Sequence, residues 1–386
     1  MSIFTTSNTP NPLQYLGTGL FALLLMVATA VPAQAQMDDE ELPSIDFAVN
    51  VAQHAQYITL ENSDDPIAGF QRVRAGLNTS VQFSENVSAL VMTELEPNDF
   101  GFQSFSPTID FAILDLALSD QLTLRTGTPV TGLMNFRGYS DGPVVQGNPL
   151  VSNSPADMIT AGQGVKLIGS YDSFGFDVTI NKGFGGGLTT DLGGNTGFNL
   201  IGKFRITGSD LFQFGAGLAT NTGSQPLVFA TGDGDNYDLQ RGTRVAHAQM
   251  PNETIFHADA KVTAGSADLD LWGGYATENE GYGSDEDFQA LFGGVGAKVD
   301  FSEDFYAAGR FTYAGDQSDA VDDFDDTSLT RIQLGIGVFI YESALFKVEY
   351  VNQSETGLSP GNQEGTALSG VGQNWQGVTT ELSFNF

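Results

Sequence analysis

From Ile45 onward, apolar and polar residues alternate through short segments. Val73, Ala75, Leu77, Val81 and Phe83 share one set of positions, and Arg72, Arg74, Asn78, Ser80 and Gln82 share the other. The split recurs with Phe174, Phe176, Val178 and Ile180 against Asp177, Thr179 and Asn181. It recurs again with Leu200, Phe204 and Ile206 against Asn199, Lys203 and Arg205, and with Ile332, Leu334, Ile336, Val338 and Ile340 against Arg331, Gln333, Gly335 and Gly337. A period of two puts these sets on opposite faces of a strand; a helix would scramble them.

Short connectors rich in Ser, Gly and acidic residues punctuate the strands: Ser84-Glu85-Asn86, Ser119-Asp120, Asp172-Ser173, Gly208-Ser209-Asp210, Gly265-Ser266, Ser302-Glu303-Asp304 and Glu342-Ser343. Such residues tolerate left-handed backbone or bond their own main chain, which suits tight turns. These seven turns alternate with eight longer connectors, which predicts about 16 strands with both termini at the short-turn end. For any single strand a soluble sandwich explains the alternation equally well. The set as a whole does not fit one, because pairs such as Lys203 with Arg205, or Lys347 with Glu349, would be costly in a packed core. The predicted fold class is all-β: a transmembrane antiparallel β-barrel with lipid outside, water inside, short periplasmic turns and long extracellular loops.

Composition agrees with that reading. The 386 residues include 47 Gly and 29 Phe, with 16% charged residues and no Cys, so thiolate chemistry and disulfides are excluded. Residues 20–31 form an apolar run of signal-peptide length, and Ala33-Gln34-Ala35 supplies a small-x-small cleavage pattern. Residues 1–35 are therefore read as a signal peptide and 36–386 as one barrel domain, although no Lys or Arg precedes the apolar run. After Val31 no apolar run is long enough for a membrane helix, so any span must be made of strands.

The last residues alternate Thr380, Leu382, Phe384 and Phe386 with Glu381, Ser383 and Asn385. This ending resembles the closing strand of bacterial outer-membrane proteins, whose terminal aromatic is read by the barrel-assembly machinery. Length, strand count and ending together resemble the general diffusion porins, and the resemblance covers the mature chain in architecture without a long motif. It implies a homotrimer in the cell outer membrane, embedded in its lipids, passing small hydrophilic solutes and ions. It also implies that the third long loop folds into the barrel and narrows it. Here that loop is residues 131–161, with Arg137, Asp141 and Asp157 as its charged members.

About eleven of the 15 basic residues fall on the inward parity. Arg72, Arg74, Arg125, Lys166, Lys203 and Arg205 form the candidate pore-lining basic wall; Lys261, Lys298, Arg310, Arg331 and Lys347 follow on later strands. A basic wall facing an acidic loop would set up a transverse field that favours small polar solutes. The plainer reading pairs the early arginines with Asp46, Glu94 or Asp115 and leaves the wall neutral.

The net charge of −32 excludes nucleic acid as a partner, since phosphate binding needs a basic footprint. Most of the acidic excess lies in connectors, including Asp233, Asp235 and Asp238, which resemble a fragment of a calcium loop without its Gly and terminal Glu. A solvated acidic loop is the default there, with no cofactor expected beyond loosely held Ca2+ or Mg2+. Three alternatives remain open. A substrate-specific channel for a sugar, phosphate or another nutrient would use inward aromatics such as Trp272, Phe292 and Trp375. A hydrolase would use His257 with Asp259, for which no nucleophile motif is evident. An adhesin or purely structural barrel would lack conductance.

Overall fold

The computed structural model describes residues 42–95, 108–136, 142–154, 159–161, 163–182, 199–221, 253–278, 287–318, 327–358 and 372–386. The signal-peptide expectation for residues 1–35 lies outside them. The first five strands are β1 (Ser44–Leu60), β2 (Ile67–Ser84), β3 (Val87–Leu95), β4 (Thr108–Ser119) and β5 (Leu122–Gly127). Two three-residue strands follow, β6 (Val130–Gly132) and β7 (Ile159–Ala161). Next come β8 (Gln163–Ser170), β9 (Phe174–Lys182), β10 (Asn199–Ile206), β11 (Phe212–Asn221), β12 (Thr254–Ala264) and β13 (Ala267–Glu278). The chain ends with β14 (Phe288–Asp300), β15 (Phe305–Asp316), β16 (Ser328–Tyr341), β17 (Ala344–Thr356) and β18 (Trp375–Asn385).

Sixteen of these strands form one closed antiparallel barrel, each paired with its neighbour in sequence and β18 paired with β1; β6 and β7 pair separately as a small hairpin. Closure leaves no free sheet edge, which a hydrocarbon environment would not tolerate. The closing seam is pinned at the C-terminus, where Phe386 and Val49 exchange both backbone hydrogen bonds (2.8 and 3.0 Å) and Phe384 stacks on Phe386. Each of the seven short turns falls where the alternation stops. Gly265 takes a positive φ of 62° in the β12–β13 turn, a conformation that glycine adopts without strain.

Residues on the outward parity are the more exposed ones. Leu77, Phe83, Val178, Ile180, Leu200, Phe204, Phe214, Phe256, Leu291, Ile332, Leu334 and Ile336 all lie on the outer surface. An apolar belt of this extent is far larger than a water-soluble monomer carries, and it suits acyl chains.

The inward faces depart from the expectation in one respect. The pattern predicts polar side chains there with scattered aromatics such as Phe292, yet Ile201, Ala219, Ile255, Ala276, Ala290, Ala314 and Leu329 also point inward from β10 to β16 and are buried with it. They pack with Leu133 and Leu358, which follow β6 and β17 respectively. Inward parity therefore does not mean contact with water: wherever loop residues fold back on the wall, an apolar inward position becomes core. Burying Leu133 alone contributes roughly 1.5–3 kcal/mol.

The point where the chain leaves the wall is Gly127. Its φ of 110° lies in the region that side chains avoid, and an added Cβ would stand 2.1 Å from the Ala112 carbonyl oxygen. Thr128 then locks the exit, donating its N–H to the Ala112 oxygen (2.9 Å) and accepting the Ala112 N–H (2.8 Å). Gly127→Ala is expected to cost about 1–3 kcal/mol through backbone strain. The check is the thermal unfolding midpoint in detergent, and an unchanged midpoint would show that the exit is adaptable.

Candidate functional site: a loop fastened across the lumen

The β6–β7 hairpin makes the neck of the third long loop, pairing Val130 with Ala161, Thr131 with Thr160 and Gly132 with Ile159. Beyond the neck the described residues make two groups of attachments to inward-facing side chains.

The first is at β12. The Asp259 carboxylate accepts the backbone N–H groups of Asn135 and Phe136 (3.1 Å for the latter) and the Asn135 side-chain amide (2.8 Å). Lys203 of β10 donates to the Met134 carbonyl oxygen at 3.3 Å. The second attachment lies three to six strands further round the wall, at β15 to β18, and is denser. Glu349 accepts the N–H groups of Val151 and Ser152 and the Ser152 hydroxyl. Lys347 donates to three loop carbonyls, those of Val145 (3.0 Å), Asn148 (3.1 Å) and Leu150 (3.2 Å), and pairs with Glu381 at 2.6 Å. Arg310 donates to the Ser152 carbonyl and the Asn148 side chain. Arg331 donates to the Asn153 carbonyl and to Gln353, with its guanidinium over the Trp375 ring.

The short 3-10 segment that opens the second attachment (Gly142–Gly147) carries Gln146, which donates to the carbonyls of Ser343 and Ser383 near the short-turn end. The described loop residues thus lie inside the barrel and reach down towards its short-turn end. A non-regular backbone can lie there because its polar groups are satisfied by buried charged partners.

This sorts the basic residues into two groups. Arg310, Arg331 and Lys347 are sealed beneath the loop and hold it. Solvent still reaches Arg125 on β5 and Arg205 on β10, whose side chains are 30% and 24% accessible.

The six basic-wall candidates fare differently. Arg74 is buried and paired with Glu94 at 2.8 Å, and Arg125 holds Asp115 through two hydrogen bonds (2.8 and 2.7 Å), as the neutral-wall alternative expected. Lys166 stands directly across the ladder from Arg125. Lys203 and Arg205 share Asp177, at 3.6 and 3.3 Å. Arg72 stands opposite His54 in the β1–β2 ladder, but its side chain is not among those described. Arg137, Asp141 and Asp157 of the loop lie outside the described residues, as do Asp233, Asp235 and Asp238. Among the described residues no group of three or more His, Asp or Glu side chains is placed to hold a metal.

The sequence pattern marks the basic residues that fasten the loop as inward but does not single out the acidic ones. In the sequence Glu349 stands out only as a charge beside Lys347, Glu381 only as a member of the last strand, and Asp259 only as a companion of His257. The signal was there in outline: acidic residues on the inward parity of β12, β17 and β18 need buried donors, and a long loop offers them.

Neither a protein-family model nor a curated protein sequence matches the chain. Solved structures do. An anion-selective porin from Comamonas acidovorans superposes with a TM-score of 0.59 at 13% identity, over 89% of this chain and all of that one. The trimer form of OmpT, an outer membrane protein of Vibrio cholerae, gives 0.57 at 14% identity, over 90% and all. The outer membrane channel DcaP of Acinetobacter baumannii gives 0.57 at 11% identity, over 89% and 97%. The chain therefore has the fold of the outer-membrane porins, built with sixteen strands.

Proposed function

We propose that the protein is an outer-membrane porin that lets small hydrophilic solutes and ions diffuse passively through a lumen narrowed by its third loop. The observation that carries this reading is the loop itself. It is fastened at β12 and at β15–β18 by buried charges, and the partly solvated charged arc at β4–β10 is left beside it. A barrel serving only as an anchor has no need of such a costly arrangement.

A channel with an aromatic track for sugars is less well supported. Trp272, Phe292 and Trp375 are all buried, with Trp272 over Gly294 and Trp375 under Arg331, so none is offered to a solute. The reading is non-enzymatic: Asp259 is committed to the loop, and the His257 ring lies beside Phe292 at 6.3 Å. Assembly as a homotrimer, recognition of Phe386 by the assembly machinery and loose binding of Ca2+ or Mg2+ by acidic connectors belong to the same proposal.

Swelling of proteoliposomes tests it. Liposomes carrying the protein should swell in small sugars and progressively less as sugar size rises; swelling no faster than protein-free liposomes would overturn the reading.

A further inference from the structure

We infer that two glycines of the inner wall, Gly217 on β11 and Gly335 on β16, are the seats that fix how far the third loop stands from the wall, and through it the size of solute that passes. The inference rests on the channel reading and adds to it the residues that set its size limit.

Neither glycine is needed by its own backbone. Both lie in strand interiors, and neither has the positive φ found at Gly127 and Gly265. Glycine without such a φ weakens a strand, and it marks a place where other atoms come close. Here those atoms belong to the loop. A Cβ on Gly335 would stand 2.8 Å from Cδ2 of Leu150. A Cβ on Gly217 would stand 3.3 Å from Cδ2 of Leu133 and 3.4 Å from its carbonyl oxygen. Both leucines are almost fully buried. Other inward glycines are covered by the wall itself: Gly294 by Trp272, Gly274 by Phe292 and Gly337 by Tyr306.

Each leucine fills a recess. Gly335 stands in register with Ala308 on β15, and Leu150 packs with Ala308, Tyr306 and Leu345 over that floor of two small residues. Gly217 stands in register with Lys203 on β10, and Leu133 joins the buried cluster of Ile201, Ala219 and Ile255 beside it. Lysines hold the adjoining backbone, Lys347 at the Leu150 carbonyl and Lys203 at that of Met134. The two kinds of contact act differently. A lysine's flexible stem can follow a carbonyl that shifts, so it holds the loop without fixing its distance from the wall. A leucine seated on bare backbone has no such slack, and a side chain added beneath it must push the loop off the wall and into the passage.

The test is single-channel conductance and sugar exclusion of the full-length protein. Gly335→Val introduces a residue that strands favour, and it should lower conductance and the size limit together. Adding Leu150→Ala removes the group that the valine displaces and should restore most of the loss, a coupling that a merely weakened strand would not show. Gly202→Val, on the outward parity of β10 with open space around it, should change neither property. Gly217→Val with Leu133→Ala repeats the test if Gly335→Val does not fold. A folded Gly335→Val channel with unchanged or raised conductance, or a loss that Leu150→Ala does not recover, overturns the seats and leaves the porin reading standing. A parent protein that neither conducts nor passes sugars overturns both.

Discussion

Replacing Glu349 by alanine is expected to release the tip of the third loop and widen the channel. The carboxylate is buried and takes two backbone N–H groups and one hydroxyl from Val151 and Ser152. A hydrogen bond to a charged group contributes about 1.5–3 kcal/mol net, so losing the two backbone N–H bonds alone removes roughly 3–6 kcal/mol of attachment. Each 1.4 kcal/mol is a factor of about ten in population, which raises the detached fraction by roughly 10²–10⁴. Conductance should rise, current noise should increase, and larger sugars should enter. Glu349→Gln should fall between, since the amide oxygen still accepts. Conductance and size exclusion unchanged in Glu349→Ala would show that the remaining contacts hold the loop alone.

Lys347→Met is expected to have the largest effect on stability. It strips three loop carbonyls of their donor and leaves Glu381 in a buried site with His54 at 3.4 Å. Breaking a buried pair from one side costs about 3–5 kcal/mol, whereas removing both charges is often close to neutral. The double change Lys347→Met with Glu381→Met should therefore recover much of the lost unfolding stability while the loop stays released. Conductance and stability would then separate: both variants conduct more than the parent, but the single one unfolds more easily. If the double variant is as unstable as the single one, the ion pair is not what makes the lysine costly to remove.

The wall was legible in the sequence because its rules are local. Alternation sorts Val178 from Asp177 and Phe204 from Lys203 within one strand, and Ser-, Gly- and Asp-rich turns mark where each strand ends. The interior was less legible because its contacts are not local. Ser152 meets Glu349 across 197 positions, and Asn135 meets Asp259 across 124. Parity puts Arg310, Arg331 and Lys347 inside but cannot tell a residue that faces water from one that faces a loop. It likewise cannot tell that Phe292 and Trp272, on inward positions, are core and not a solute track. The two early arginines were readable as a pair of alternatives, and Glu94 and Asp115 decide between them only once the strand register is known.

Single-channel recording in a planar bilayer tests the central claim most directly. The full-length protein should insert in discrete steps of current, grouped in threes if the homotrimer holds, and Glu349→Ala should give larger and noisier steps than the parent. A bilayer that stays silent with correctly folded barrel would contradict the account.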